Sequence, residues 1–247
     1  MVNTQLIVIP VGRARSNHAE IARQIGIDII AGRYPEHGKL PGDAEFTAQF
    51  GVSRPVVRES VKTLVAKGLL STKAKVGTVV RERSAWNMFD PDVLAWHLDA
   101  GIDRRFLRDL ADIRLAVEPR SAALAAERRT PEALALIEAA MQEMREADPY
   151  SVAFAEADLR LHIAIANASD NPFMRSIGAV IEAALRASFL LSAPVEDVER
   201  EIAIAAHSRI VEAIAQRSPE LAGAAMTDVI FNGLRRQGVD GEGAAAR

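Results

Sequence analysis

The chain has 247 residues, 49% of them hydrophobic and 26% charged, with a formal net charge of −3; this is ordinary globular composition with room for one or two domains, and it excludes a disulfide miniprotein, a fibrous repeat or wholesale disorder. The absence of cysteine removes disulfides, thiolate metal sites, iron–sulfur ligation and thiol nucleophiles, so any metal must be held by His and carboxylate. No apolar run approaches the roughly 18 to 20 residues that cross a bilayer. The opening Leu6 to Val11, with no basic segment before it and Pro10 within it, reads as an arm rather than a secretory signal, so a cytoplasmic protein with no membrane partner is expected.

The overall charge conceals two halves of opposite sign. Residues 1–83 carry 13 Lys/Arg against 7 Asp/Glu, net +6, whereas residues 84–247 carry 17 against 26, net −9. A basic small unit joined to an acidic larger one points to a polyanion-binding module carried by something else.

In chain order, His18 to Ala31 places Ile21, Ala22, Ile25 and Ile29 on one face of an amphipathic helix that stops at Gly32. A turn through Tyr34 to Pro41 precedes a short helix, Asp43 to Phe50, with Asp43 in the N-cap region and Gly51 ending it. Ser53 is placed to cap a third helix that tolerates Pro55 in its first turn and carries a buried stripe of Val57, Val61, Leu64 and Val65 up to Gly68. A short helix, a tight turn and a longer helix with basic residues near its start match the helix-turn-helix pattern. Leu69 to Thr72 and Thr78 to Val80, joined through Lys73 to Gly77, read as a two-stranded hairpin.

Arg54 and Arg58 lie four apart, on one face of the third helix, where guanidinium forks reach guanine edges or phosphates in a major groove. Lys62 stands one turn further on as a phosphate contact, Ser53 opens the same helix, and Lys73, Lys75 and the backbone near Gly77 would lay the hairpin along the DNA backbone or minor groove.

Residues from about 105 to 240 read as a string of amphipathic helices broken near Thr130-Pro131, Asp148-Pro149, Asn171-Pro172, Ala193-Pro194 and Ser218-Pro219, and such helices pack antiparallel around one core. Trp86, Phe89 and Trp96 fall between the two parts, where large rings pack; the spacing of Phe89, Val93 and Trp96 suits a helix lying against the bundle. The fold class is therefore mainly α: a winged helix-turn-helix of three helices and a β-hairpin, followed by an all-α antiparallel bundle.

The residues Leu40-Pro41, Phe50-Gly51-Val52-Ser53-Arg54, Val57-Arg58-Glu59, Leu64, Gly68-Leu69, Gly77 and Val80 resemble the winged helix-turn-helix of GntR-family transcription regulators. Where that family usually has Ser-Glu-Arg after Leu-Pro, this chain has Gly42-Asp43-Ala44, which removes one expected phosphate or base contact at Ala44. The helical remainder resembles the FCD effector domain of the FadR subgroup, and Trp86 to Trp96 resembles the linker of the galactonate-repressor branch, whose members respond to sugar acids. The resemblance divides the chain into an arm (1–17), a DNA-binding domain (18–83), an interdomain segment (84–100), an effector-binding and dimerisation domain (101–240) and a tail (241–247).

It also implies site residues. Asp158 and His162, four apart on a predicted helix, share one side of it, and His207 follows 45 residues later; in the family an Asp, a His four residues on and two later His bind a divalent cation such as zinc or nickel. Val229 stands where the last His is expected, leaving a two-His, one-carboxylate set with open positions. Arg114 aligns with an arginine that clamps an effector carboxylate, the alternative being a salt bridge with Asp112, Glu118 or a neighbouring helix; Arg186 is a second candidate for the bundle interior. Around Ser192 to Ala203, small and apolar residues stand where a galactonate pocket would have aromatic and hydroxyl groups, leaving another hexonate, a uronate or another hydroxy acid open.

The implied function is a transcription regulator, expected to be a repressor, that binds a palindromic double-stranded operator as a homodimer and is released by a small carboxylate effector of the sugar-acid class. It would not be an enzyme: no Gly-rich phosphate loop, G-x-S-x-G elbow or H-E-x-x-H helix is present. The alternatives are a metal-dependent hydrolase or lyase with an appended DNA-binding head, and a DNA-packaging protein that senses nothing.

Overall fold

The computed structural model describes residues 17–74, 76–101, 104–148, 151–192 and 197–236, and for 187–192, 197 and 236 the backbone alone. The chain divides into two compact units between Asn87 and Met88. Among the described residues there are eleven α-helices and a single two-stranded antiparallel sheet. The arm and the tail lie outside the described residues.

The first unit contains α1 (Asn17–Ile30), α2 (Asp43–Phe50), α3 (Arg54–Ala66), β1 (Leu70–Lys73) and β2 (Gly77–Val80), with one 3-10 turn at Arg83–Ala85. Its core is the inward stripe of α1, Ala22, Ile25 and Ile29, with Phe46 of α2 and Val57 and Leu64 of α3. The stripe of α3 differs from expectation. Val61 and Val65 are half-buried, while Ser60 is fully buried; it is tolerated there because the single proton of its hydroxyl has the backbone carbonyls of His18 and Val56 as acceptors, at 2.8 and 2.9 Å. The caps differ too. Gly42, not Asp43, is the N-cap of α2, with its N–H donating to Glu45 Oε2 at 2.7 Å. Ser53 occupies the N-cap of α3 but makes no side-chain capping bond; Pro55 at the second helical position has no N–H, which removes one of the two donors such a cap accepts.

The hairpin pairs Leu70 with Val80 through to Lys73 with Gly77. A third, very short pairing was not legible in the sequence: His37 N–H donates to Val80 C=O, Val80 N–H to Gly38 C=O, and Leu40 N–H to Thr78 C=O, each at 2.9 Å. At the end of α3 the chain turns sharply at Gly68, whose φ is +84°; a Cβ there would stand 2.4 Å from the carbonyl oxygen of Ala85. The segment after β2 runs back over this turn, Asn87 N–H donating to Lys67 C=O at 3.0 Å and Trp86 Nε1 to Arg81 C=O at 3.1 Å.

The second unit contains α4 (Pro91–Ala100), α5 (Arg104–Arg128), α6 (Pro131–Glu146), α7 (Val152–Ala168), α8 (Pro172–Ser176), α9 (Gly178–Ser192), α10 (Asp197–Ala215) and α11 (Pro219–Arg236). Proline opens α4, α6, α8 and α11, and the preceding Asp90, Thr130 and Asn171 cap the first three through backbone N–H groups two or three residues on. Pro119 breaks nothing and lies within α5. The break at Ala193-Pro194 lies outside the described residues.

One apolar core runs through α5, α6, α7, α10 and α11, with Ala122, Ile137, Met144, Leu161, Ile210, Ile214 and Ala222 fully buried. A second, with Leu94, Phe106, Leu110, Val180 and Ala184, joins α4, α5 and α9. Trp96 is buried, but Phe89 is 56% exposed. It precedes the cap Asp90 and so is not on the helical face that the Phe89–Val93–Trp96 spacing suggested.

Three arginines tie helix ends together. Arg129 donates to the terminal carbonyls of Ile214 and Ala215 on α10, at 3.0 and 2.7 Å. Arg217 returns the contact to Glu127 and Arg129 at the end of α5, and Arg128 reaches Ser169 beyond α7. Each guanidinium donates to carbonyls at or just beyond a helix C-terminus, and places positive charge at the negative end of the helix dipole.

Candidate nucleic-acid interface and metal centre

The tight turn through Gly51, at φ +64°, sets α3 against α2 and leaves Ser53, Arg54, Arg58 and Lys62 exposed. Arg58 Nε donates to Asp43 Oδ2 at 2.8 Å, and Lys62 Nζ to Glu59 Oε1 at 2.7 Å. Asp43 is therefore a residue of this surface that the sequence reading treated only as a cap; its clue was the Gly42-Asp43-Ala44 departure. Lys73 and Gly77 face each other at the exposed end of the hairpin, Gly77 at φ +104° with the Lys39 side chain packed beneath it. Lys75 lies outside the described residues.

In the second unit Asp158 and His162 of α7 meet His207 of α10. Asp158 Oδ1 is 3.4 Å from His162 Nε2 and 3.0 Å from His207 Nε2, the two rings meet edge to face with centroids 5.6 Å apart, and one ligand atom from each residue lies within 4.8 Å of the others. All three atoms are buried, yet none is aligned for a hydrogen bond among the described residues. Their nearest polar neighbours are one another, and with both rings neutral the three would be buried acceptors face to face, a costly arrangement that a shared cation relieves.

The far side of each ring explains their orientation. His207 Nδ1 lies 2.7 Å from the Ala203 carbonyl of its own helix, and His162 Nδ1 contacts Glu118 Oε2 of α5. In the neutral ring Nδ1 is then the donor, which leaves the Nε2 lone pair facing Asp158 on both histidines. Two imidazoles and a carboxylate in this state form a donor set suited to zinc or nickel, with further positions for other oxygens. Val229, at the position where a fourth ligand was expected, is a buried member of the apolar core.

Arg114, on α5, is buried against Glu118, through Nε to Oε1 and through Nη2 to Oε2 at 3.4 Å. The salt-bridge alternative is thus what the structure contains. The pair accounts for two of the five guanidinium donors, and Arg114 also lines a narrow cavity with Leu107, Leu110, Ala184, Ile230 and Leu234. Arg186, on α9, is held by Glu182 of the same helix at 2.9 Å and joins none of these groups. Glu118 is the central residue that local sequence does not reveal: its spacing of four marks it as a partner of Arg114, and nothing in a separation of 44 residues signals His162.

The electrostatics follow from this packing. Burial pushes the Glu118 carboxyl upward, but Arg114 and His162 outweigh it and hold its pKa at about 2. Burial likewise opposes ionisation of Asp158, and the His207 and His162 rings hold it well below the usual carboxylate range. Burial drives His162 downward, while the Glu118 and Asp158 carboxylates raise it to about 9.

A helix-turn-helix with a hairpin wing, followed by a helical bundle with a small ligand-ready cluster, defines a DNA-binding regulator with a sensing domain. Residues 17–80 match the family described as bacterial regulatory proteins, gntR family, and residues 109–232 match the FCD domain. The chain is 33% identical over 212 residues to the galactonate operon transcriptional repressor of Escherichia coli K12, covering 86% of this chain and 93% of that protein. It is 32% identical over 204 residues to the uncharacterized HTH-type transcriptional regulator YieP of the same organism, covering 82% and 87%. Among solved structures, one described as Lar, which controls expression of the Listeria monocytogenes agr system, shares the fold with a TM-score of 0.63 at 18% identity, covering 92% of this chain and 98% of that one. The protein belongs to the GntR family, with an FCD domain following its DNA-binding domain, and is a transcriptional regulator rather than an enzyme. The hydrolase or lyase alternative is set aside on that ground. Among the described residues no helix is long and apolar enough to cross a membrane.

Proposed function

We propose that the protein is a repressor that binds a palindromic operator as a homodimer and is released by a small carboxylic acid of the sugar-acid class. Ser53, Arg54, Arg58, Lys62, Lys73, Lys75 and Gly77 are the DNA contacts in this reading, α3 entering the major groove and the hairpin lying along the backbone or minor groove. Asp158, His162 and His207 would hold a zinc or nickel ion, which when bound supplies a Lewis-acidic centre for an effector oxygen. Arg114 keeps three donors beyond those given to Glu118, enough to take a carboxylate without surrendering its own ion pair. The observation that carries the reading is the convergence of three buried ligand atoms, which face one another, inside the FCD domain, in a chain similar over most of its length to a galactonate operon repressor.

Release follows if the acid binds the DNA-incompetent conformer more tightly, and a tenfold loss of operator affinity needs only about 1.4 kcal/mol of such preference. The test is thermal denaturation of the metal-analysed protein against galactonate, other hexonates, uronates and simple hydroxy acids, because a ligand of the native state raises its melting temperature. One selective acid is expected to stabilise the protein, to lose its effect in Arg114→Ala, and to dissociate the protein from its operator DNA. No stabilisation by any acid, with zinc or nickel restored, overturns the effector assignment and leaves DNA binding to be tested alone.

A further inference from the structure

The two histidines of the cluster are oriented by different means. His207 donates to the carbonyl four residues back in its own helix, a partner present wherever that helix forms. His162 depends on a side chain from another helix: Glu118, 2% exposed, whose second oxygen receives Arg114. Glu118 supplies no atom to the ligand cluster, yet its buried carboxylate is held between an arginine of its own helix and a ligand histidine of another.

Resting on the metal-centre reading above, we propose that Glu118 is a positioning residue for the metal, and that Arg114 acts on the metal through Glu118. By accepting from Nδ1 of His162, Glu118 fixes the ring's rotation and its tautomer, so that the Nε2 lone pair meets Asp158 and His207; partners of this kind set metal affinity by about 10- to 100-fold. Arg114 in turn fixes the Glu118 carboxylate. Arginine, carboxylate, imidazole and ion then form one chain across α5 and α7, and a change at either end is felt at the other. His207, tied to backbone, contributes a fixed ligand against which His162 is adjusted.

The experiment uses the full-length protein and Co²⁺ as the probe, with affinity measured by competition against a chelating chromophore and the ligand field read from the visible Co²⁺ absorption bands. Glu118→Gln is expected to bind Co²⁺ about 10- to 100-fold more weakly, with shifted bands. Arg114→Gln, which leaves the Glu118 carboxylate in place, is expected to lose less, and the double variant to bind no more weakly than Glu118→Gln alone, because both act through one atom. Circular dichroism in chelator establishes that each variant folds; if Glu118→Gln does not, Arg114→Gln carries the test, since a residue that touches no ion should leave both readouts unmoved unless it acts through Glu118. Affinity within about threefold of the parent in Glu118→Gln with unchanged bands, or losses that multiply in the double variant, overturns the proposal. Failure of the unsubstituted protein to take up Co²⁺ overturns the metal-centre reading itself, a distinct outcome.

Discussion

Burial would drive the proton off His162, yet Glu118 and Asp158 on either side of the ring raise its pKa from 6.5 to about 9. With the folded value above the unfolded one, the stability His162 contributes to the metal-free protein is complete below about pH 6.5 and is lost as pH rises through about 9. Glu118 has the opposite sign: held at about 2 from an ordinary 4.5, it contributes stability above about 4.5 that is lost only as pH falls through about 2. A metal ion needs the neutral ring, so it competes with a proton that the protein itself holds tightly. The melting-temperature gain from added zinc or nickel is therefore expected to grow steadily from about pH 6 to about pH 8.5, measured against the same protein in chelator; a flat or falling gain would show that His162 is not a ligand. At this scale the sequence was partly transparent. Asp158 and His162 could be paired from a spacing of four because a helix repeats every 3.6 residues, but Glu118 reaches the same ring only through the packing of α5 on α7, which no local period encodes.

Helix boundaries were the most legible feature of the elements, since proline can open a helix at no cost in hydrogen bonds while Asp, Thr or Asn before it caps the exposed N–H groups. The pairing of residues 37–40 with β2 was illegible for the converse reason: its backbone is recruited by a strand some 40 residues away, and Gly38 and Pro41 read locally as turn. Gly68 belongs to this scale. Its left-handed backbone and the Ala85 carbonyl at 2.4 Å from a would-be Cβ leave no room for a side chain, and the obstacle is backbone rather than a movable side chain. Gly68→Ala is expected to destabilise the first unit by about 2 kcal/mol or more, read as earlier unfolding of residues 17–87 in urea with the second unit's transition unchanged. A stability within about 0.5 kcal/mol of the parent would mean that the turn is not rigid.

For the whole molecule, the division of charge into +6 and −9 halves follows the division into two folded units, the basic one carrying the exposed Arg and Lys of α3. The bundle's architecture was foreseeable from helical periodicity and breaks. The neighbours of each helix were not, because Ala-rich faces pack against several partners equally well. Those neighbours matter at the pinned end, where Arg128, Arg129 and Arg217 bind the ends of α5, α7 and α10 to one another.

These are also the three helices that carry Glu118, Asp158, His162 and His207. At 1.5 Å per residue, Glu118 sits about 16 Å from Arg129 and the start of α5 about 37 Å from it, so one helix spans the arginine-bound end, the ligand cluster and the contacts of Phe106 and Leu110 with α4 and α9. Adding zinc or nickel is expected to alter amide exchange across residues 91–100 in the parent protein and to do so less in Arg129→Ala, which loses two bonds to α10 while Arg217 and the shared core remain; an equal response in both would show that these bonds do not carry the effect. On this geometry α5 is the physical link between the ligand cluster and α4, and the arginines at its end fix its register against α7 and α10.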